Sequence, residues 1–139
     1  MALRPATSAL AVTVGLDAAQ VSRAMAVVRA GIGAVGLLAP GRLAWRLFLQ
    51  GKQIDEPTAL VLRAAAARDL TLGLGAAVAA KRGPGPHRGW MLAAALVDCC
   101  DALAMATSKS ASPAARASAA LVSGVSASAE LLLAQQLTR

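Results

Sequence analysis

The stretch GWMLAAALVDCCDALAMAT, residues 89–107, decides how this chain is read. As an α-helix its 19 residues rise about 28 Å, close to the ~30 Å hydrocarbon core of a bilayer. Apart from Asp98 and Asp101 it holds no ionisable side chain but two cysteines. Three comparable segments surround it: 21–39, closed by Pro40 and Gly41; 58–80, entered through Pro57; and 113–137, entered through Pro113. Proline at or near a first helical turn gives up only an N–H that has no partner there anyway. The run 81–89, with Gly83, Pro84, Gly85 and Pro86, reads as a loop between the second and third spans. Trp90 then follows it at the depth where an indole sits best in a membrane.

The expected fold class is therefore all-α, a four-helix transmembrane bundle occupying 21–139. Within 41–50, Leu43, Leu47 and Phe48 share one helical face, with Arg42 and Arg46 about a third of a turn away. That pattern predicts a short interfacial helix between the first two spans, its basic side at the headgroups. Residues 1–20 read as an N-terminal arm or surface helix, since the basic region is weak and no cleavage site for a signal peptide stands out.

Composition supports the same class. Of 139 residues, 57% are apolar and 15% charged, against about 25% charged in an ordinary soluble domain. The mean hydropathy is +0.58. Trp45, Phe48 and Trp90 are the only aromatic residues, too few for a soluble core that normally buries large rings. Because much of the apolar content is Ala, a soluble Ala-rich bundle stays open as an alternative. The net charge of +7 falls largely on the connectors, as Arg42, Arg46, Lys52, Lys81, Arg82, Arg88, Lys109 and Arg116. Connector arginines and lysines suit anionic headgroups. Without a basic patch or interleaved rings, nucleic acid is excluded as a partner. The expected location is a bacterial plasma membrane. Six basic residues lie on the side of the termini and five on the other, and the denser 81–89 loop turns the expectation toward cytoplasmic termini.

Three motifs need weighing. Gly31-Ile32-Gly33-Ala34-Val35-Gly36 has the letters of a dinucleotide fingerprint, but that motif needs a strand before it and a helix beginning within it. A small-residue face for close helix packing fits better, with Gly73 and Gly75 serving the same purpose. Cys99 and Cys100 are adjacent, point about 100° apart on a helix and do not suit a disulfide; they read as small apolar fillers. With His87 as the one histidine and no spaced cysteine pair, zinc and haem have no support. Mg²⁺ on Asp98 and Asp101 would have too few ligands. No cofactor or metal is expected.

The remaining feature is a set of charges inside apolar segments. Asp98 and Asp101 stand at i and i+3, on one helical face. Arg68 and Asp69 sit mid-way along the second span, with Arg63 a little over a turn earlier; the first span adds Arg29, and the fourth adds Glu130, with Ser126 on its side. Each charge at the centre of a membrane helix costs about 2.5–3.5 kcal/mol on insertion scales, much less when paired inside the bundle. Such a set either fixes helix register or forms a working site.

The stretch Ala67-Arg68-Asp69-Leu70-Thr71-Leu72-Gly73-Leu74-Gly75, followed by Asp98 and Asp101, resembles an uncharacterised family of small four-helix membrane proteins, domain of unknown function 4267. The resemblance spans most of 21–137. It implies four helices and a membrane location, and supplies no activity.

The expected function is an acid–base enzyme acting on a lipophilic small molecule, by isomerisation, cyclisation or epoxide opening. Asp98 or Asp101 would donate a proton. Asp69 would be the base or orient water, and Arg68 would hold a carboxylate ionised and stabilise developing negative charge. Arg29, Arg63, Glu130 and Ser126 would bind or support. The alternative is a non-catalytic accessory subunit or small carrier whose charges hold the bundle or relay protons. Membrane lipid is the expected surrounding, and a homo-oligomer or larger membrane complex the expected protein partner.

Overall fold

The computed structural model describes residues 17–42, 54–109 and 112–137. Among these residues the chain is all-helical, in four long helices: α1 (Ala18–Leu38), α2 (Glu56–Ala80), α3 (Pro84–Thr107) and α4 (Pro113–Gln136). The segment expected to form an interfacial helix and most of the N-terminal arm lie outside the described residues. Helix α1 begins at Ala18, inside the stretch assigned to that arm.

Local chemistry sets the helix ends. Asp17 and Gln20 form a reciprocal capping box, with the Gln20 N–H donating to Asp17 Oδ1 at 2.6 Å and the Asp17 N–H to Gln20 Oε1 at 2.9 Å. Asp55 caps α2 by accepting from the Thr58 N–H at 3.0 Å, and Ser112 caps α4 by accepting from the Ala115 N–H at 3.2 Å. Pro57 and Pro113 each sit in a first turn, as expected.

The 81–89 loop is corrected. Only Lys81, Arg82 and Gly83 break the helical path, and α3 starts at Pro84. Two prolines did not prevent this, because Pro84 and Pro86 both fall where N–H groups have no intrahelical partner. Gly83 makes the turn with φ 121°, a left-handed value that favours glycine. Trp90 and His87 thus belong to the helix rather than to a loop and its edge.

Helices α1, α3 and α4 are long and apolar enough to cross a membrane, which marks an integral membrane protein. Helix α2 matches them in length but carries Glu56, Arg63, Arg68 and Asp69 and does not join that set.

The distribution of side-chain size agrees with lipid surroundings. The interior is lined mainly by Ala26, Ala66, Ala76, Ala94, Ala95, Ala127 and Ala134, whereas Leu38, Leu60, Val61, Leu96, Leu103 and Leu121 face outward at 65–87% exposure. In water that arrangement would discard the hydrophobic driving force. In lipid, small residues let backbones approach while large apolar ones meet acyl chains.

The helices pack chiefly as two hairpins, α1 with α2 and α3 with α4; α2 and α3 share a lesser seam. The α1–α2 crossing is reciprocal. A Cβ at Gly33 would collide with the backbone of Ala66 and Leu70, and one at Gly73 with the backbone of Ala26 and Ala30. Of the fingerprint-like glycines, Gly33 and Gly36 are buried on the inner face of α1, Gly33 at the crossing itself, whereas Gly31 is exposed and takes no part in it. Gly75 serves a different neighbour, the indole of Trp90 on α3.

Candidate functional site

Each helix carries one inward stripe at helical spacing. On α1 it runs Ser22, Ala26, Gly33 and Gly36, with Arg29 on the same face; on α3 it is His87, Met91, Ala94, Ala95 and Asp98; on α4 it includes Ala127, Glu130, Leu133 and Ala134. Because Arg29 and Asp69 each lie one turn before the close-packed Gly33 and Gly73, the tight crossing sets their side chains against each other.

The stripes converge on Arg29. Its Nε donates to Asp69 Oδ1 on α2 at 3.4 Å, its Nη1 to Glu130 Oε1 on α4, and its Nη2 to Asp98 Oδ1 on α3. One guanidinium thus reaches a carboxyl group on each of the other three helices. The planar fork of arginine, with donors on three nitrogens, allows this; a lysine ammonium could not span the same three positions. The side chains of Arg29, Asp98 and Glu130 are 16%, 8% and 5% exposed.

A second pair adjoins the first. Arg68 holds both oxygens of Asp101, Nη1 to Oδ1 at 2.9 Å and Nη2 to Oδ2 at 2.7 Å, a bidentate arrangement. Its Nη2 also lies 3.5 Å from Asp69 Oδ1, so Asp69 bridges the two arginines. Arg68 and Asp101 are each 35% exposed, much more open than the Arg29 group.

Six of the residues named from sequence therefore form one network: Arg29, Arg68, Asp69, Asp98, Asp101 and Glu130. Two do not join it. Arg63 pairs with Glu56 of its own helix at 3.3 Å on the exposed side of α2. Ser126 is half-buried one turn before Glu130 and donates none of the network's hydrogen bonds. Cys99 and Cys100 are free and exposed, not the fillers expected; with Asp98 turned inward, the next two positions of the helix turn out.

Two polar atoms of the network are buried without a hydrogen-bond partner among the described residues, Arg68 Nε and Glu130 Oε2. His87 is a residue that the sequence reading missed. It is 2% exposed, and its Nε2 is buried and unpartnered in the same sense. It stands eleven residues before Asp98, three turns along one stripe. That spacing was visible in the sequence, but a proline-flanked histidine read as loop hid it.

No protein-family model, curated protein or solved structure matches this chain. What stands on its own evidence is a helical membrane protein whose interior is crossed by Arg–Asp and Arg–Glu ion pairs.

Proposed function

We propose that this protein is a small, cofactor-independent acid–base enzyme acting on a lipophilic substrate, with four membrane spans, in a bacterial plasma membrane, and with cytoplasmic termini. The observation that carries the reading is the make-up of the network: two guanidinium groups against four carboxyl groups, drawn from all four helices. Register alone needs one pair per contact. Two acid groups in excess, in a low-dielectric interior, are a store of exchangeable protons.

In this reading Asp98 or Asp101 gives a proton to the substrate, Asp101 only after leaving the bidentate hold of Arg68. Asp69 takes one from water or from carbon, and Arg68 stabilises charge as it develops. For an epoxide, Asp69 accepts a proton from water as the water oxygen attacks a ring carbon. The ring C–O bond breaks, and the released oxygen takes its proton from the acid, giving a diol. Arg29 orients Asp69, Asp98 and Glu130 without touching substrate. The likeness to domain of unknown function 4267 belongs to the same proposal.

A second reading rests on Arg29 itself. Three carboxyl groups from three helices on one guanidinium form an ionic cross-link, as expected of an accessory subunit or carrier whose charges hold the bundle together. The two are separated by incubating the purified protein with a bacterial lipid extract in ¹⁸O-labelled water and profiling by mass spectrometry. An enzyme yields an isomerised or ¹⁸O-labelled lipophile that disappears with Asp98→Asn/Asp101→Asn. Turnover that survives the double substitution removes the enzymatic reading. A larger protein that co-purifies, and is lost with Arg68→Ala, supports the subunit.

A further inference from the structure

We propose that the site is loaded sideways from the bilayer through the seam between α2 and α3, by an uncharged lipophile bearing a hydrogen-bond-accepting oxygen. This rests on reading the network as a working site, and it adds the entry and the chemical class of the ligand.

The entry follows from packing and exposure. Each hairpin is closely packed, and the two meet along looser seams, α2 with α3 and, more loosely still, α1 with α4, where the bridging Arg29 and Glu130 are largely buried. Within the network the pair that bridges the α2–α3 seam is the most open: Arg68 and Asp101 at 35%, against 25% for Asp69, which contacts Arg68, and 5–16% for Arg29, Asp98 and Glu130. The Trp90 ring against Gly75 closes the seam toward the N-terminal end of α3. Beside Arg68 on the same helix, Ala64, Ala67 and Thr71 are exposed, and none is large enough to cover the pair. A half-open ion pair in the middle of two membrane-length helices faces acyl chains, where a polar group is costly until something polar meets it.

The class of ligand follows from which hydrogen-bonding positions are taken. All three nitrogens of Arg29 are engaged by carboxyl oxygens. Both Nη atoms of Arg68 are held by Asp101, and its buried Nε–H has no partner among the described residues. The free group at the seam is thus a donor, which a neutral ether, epoxide or carbonyl oxygen satisfies. An anionic headgroup meets the opposite conditions. It would add negative charge to four carboxyl groups facing two guanidiniums and would have to displace Asp101 from its bidentate hold. Arginines in a membrane interior suggest a site for fatty acids or phosphates; the count and the geometry here point away from both.

The test uses the full chain in detergent micelles and native mass spectrometry with four probes sharing one long alkyl chain: the plain alkane, an internal epoxide, an internal ketone and a terminal carboxylic acid. The epoxide and ketone are expected to be retained about tenfold better than the alkane or the acid, the factor for one hydrogen bond to a charged donor. Arg68→Lys keeps the charge without the Nε–H and should remove that preference. Thr71→Trp, at an exposed position that tolerates a large side chain, should lower retention of every probe by blocking the seam. Retention of the acid equal to or above that of the epoxide overturns the ligand class, and unchanged retention in Thr71→Trp overturns the entry. A stable dimer that excludes all four probes overturns both, because a second copy then covers the seam. Failure of the catalytic reading is distinct: the probes bind in the expected order and none is converted.

Discussion

Replacing Arg29 by Met would remove one guanidinium and keep a side chain of similar length. At 3.4 Å the contact to Asp69 has a gross Coulomb energy of about 5 kcal/mol at an effective dielectric of about 20. Asp69 is not stranded by the change, because Arg68 lies 3.5 Å from the same oxygen. Asp98 and Glu130 are stranded, since Arg29 is their one cationic partner among the described residues and their side chains are 8% and 5% exposed. Breaking a single buried pair costs about 3–5 kcal/mol. Two stranded acids set an upper bound near 6–10 kcal/mol by the same figure, and uptake of protons brings the expected loss to about 4–6 kcal/mol. The assay is equilibrium unfolding from mild detergent into dodecyl sulfate, followed by far-ultraviolet circular dichroism. The triple substitution Arg29→Met/Asp98→Asn/Glu130→Gln removes the stranded charges and should recover at least half of the loss. A single Arg29→Met that unfolds within about 1 kcal/mol of the native chain, the range of ordinary surface changes, would refute the idea that Arg29 joins the four helices.

Further outcomes test other parts of the structure. Gly33→Ile should disrupt the α1–α2 crossing by at least about 3 kcal/mol, the upper end of overpacking costs, because its Cβ meets the Ala66 and Leu70 backbone; Gly31→Ile, with nothing near its Cβ position, should unfold like the native chain in the same assay. Hydrogen bonds from the side chain and backbone of Thr58 hold the Asp55 carboxyl below its ordinary 3.8. Its contribution to the α2 cap is therefore complete above that value and lost as pH falls through the lower, folded one. Carboxyl ¹³C chemical shifts followed from pH 5 downward will show the midpoint, and a midpoint at or above 3.8 contradicts the cap. Cys99 and Cys100 face outward near the middle of α3. They should react in intact vesicles with a lipid-soluble thiol reagent and resist a charged, impermeant one from both sides. Rapid labelling by the impermeant reagent, or release of the protein by a carbonate wash, would favour the soluble bundle.

The sequence carried the helices better than their mutual arrangement. Spans ending at Ala80 and Thr107 and starting at Pro113 were legible because length, apolar content and punctuation are local properties. The start of α3 was not, since Pro84 and Pro86 look alike in a loop and in a first turn. The six charged residues of the network were visible as misfits in apolar segments. Their partners were not. Asp98 and Asp101 suggest a pair, three positions apart on one helix, yet the fold gives one to Arg29 and the other to Arg68. That assignment depends on which faces of two hairpins meet, a long-range property no spacing encodes. Cys99 and Cys100 were misread for the same reason: side-chain size says what fits inside, and only the packing says which direction is inside.

The division of charge between the hairpins bears on how the protein is made. The first hairpin contributes Arg29, Arg68 and Asp69 to the network, and the second contributes Asp98, Asp101 and Glu130. With four membrane spans as proposed, the half synthesised first enters the membrane with one network arginine unmatched, and the half that follows adds only acid groups to the network. Neither is at ease in lipid alone. Each lowers the cost of inserting the other, so assembly is driven late in translation by the arrival of α3 and α4. A chain interrupted at Gly83 and expressed as two polypeptides would still recombine, like with unlike, and two copies of the second half would not.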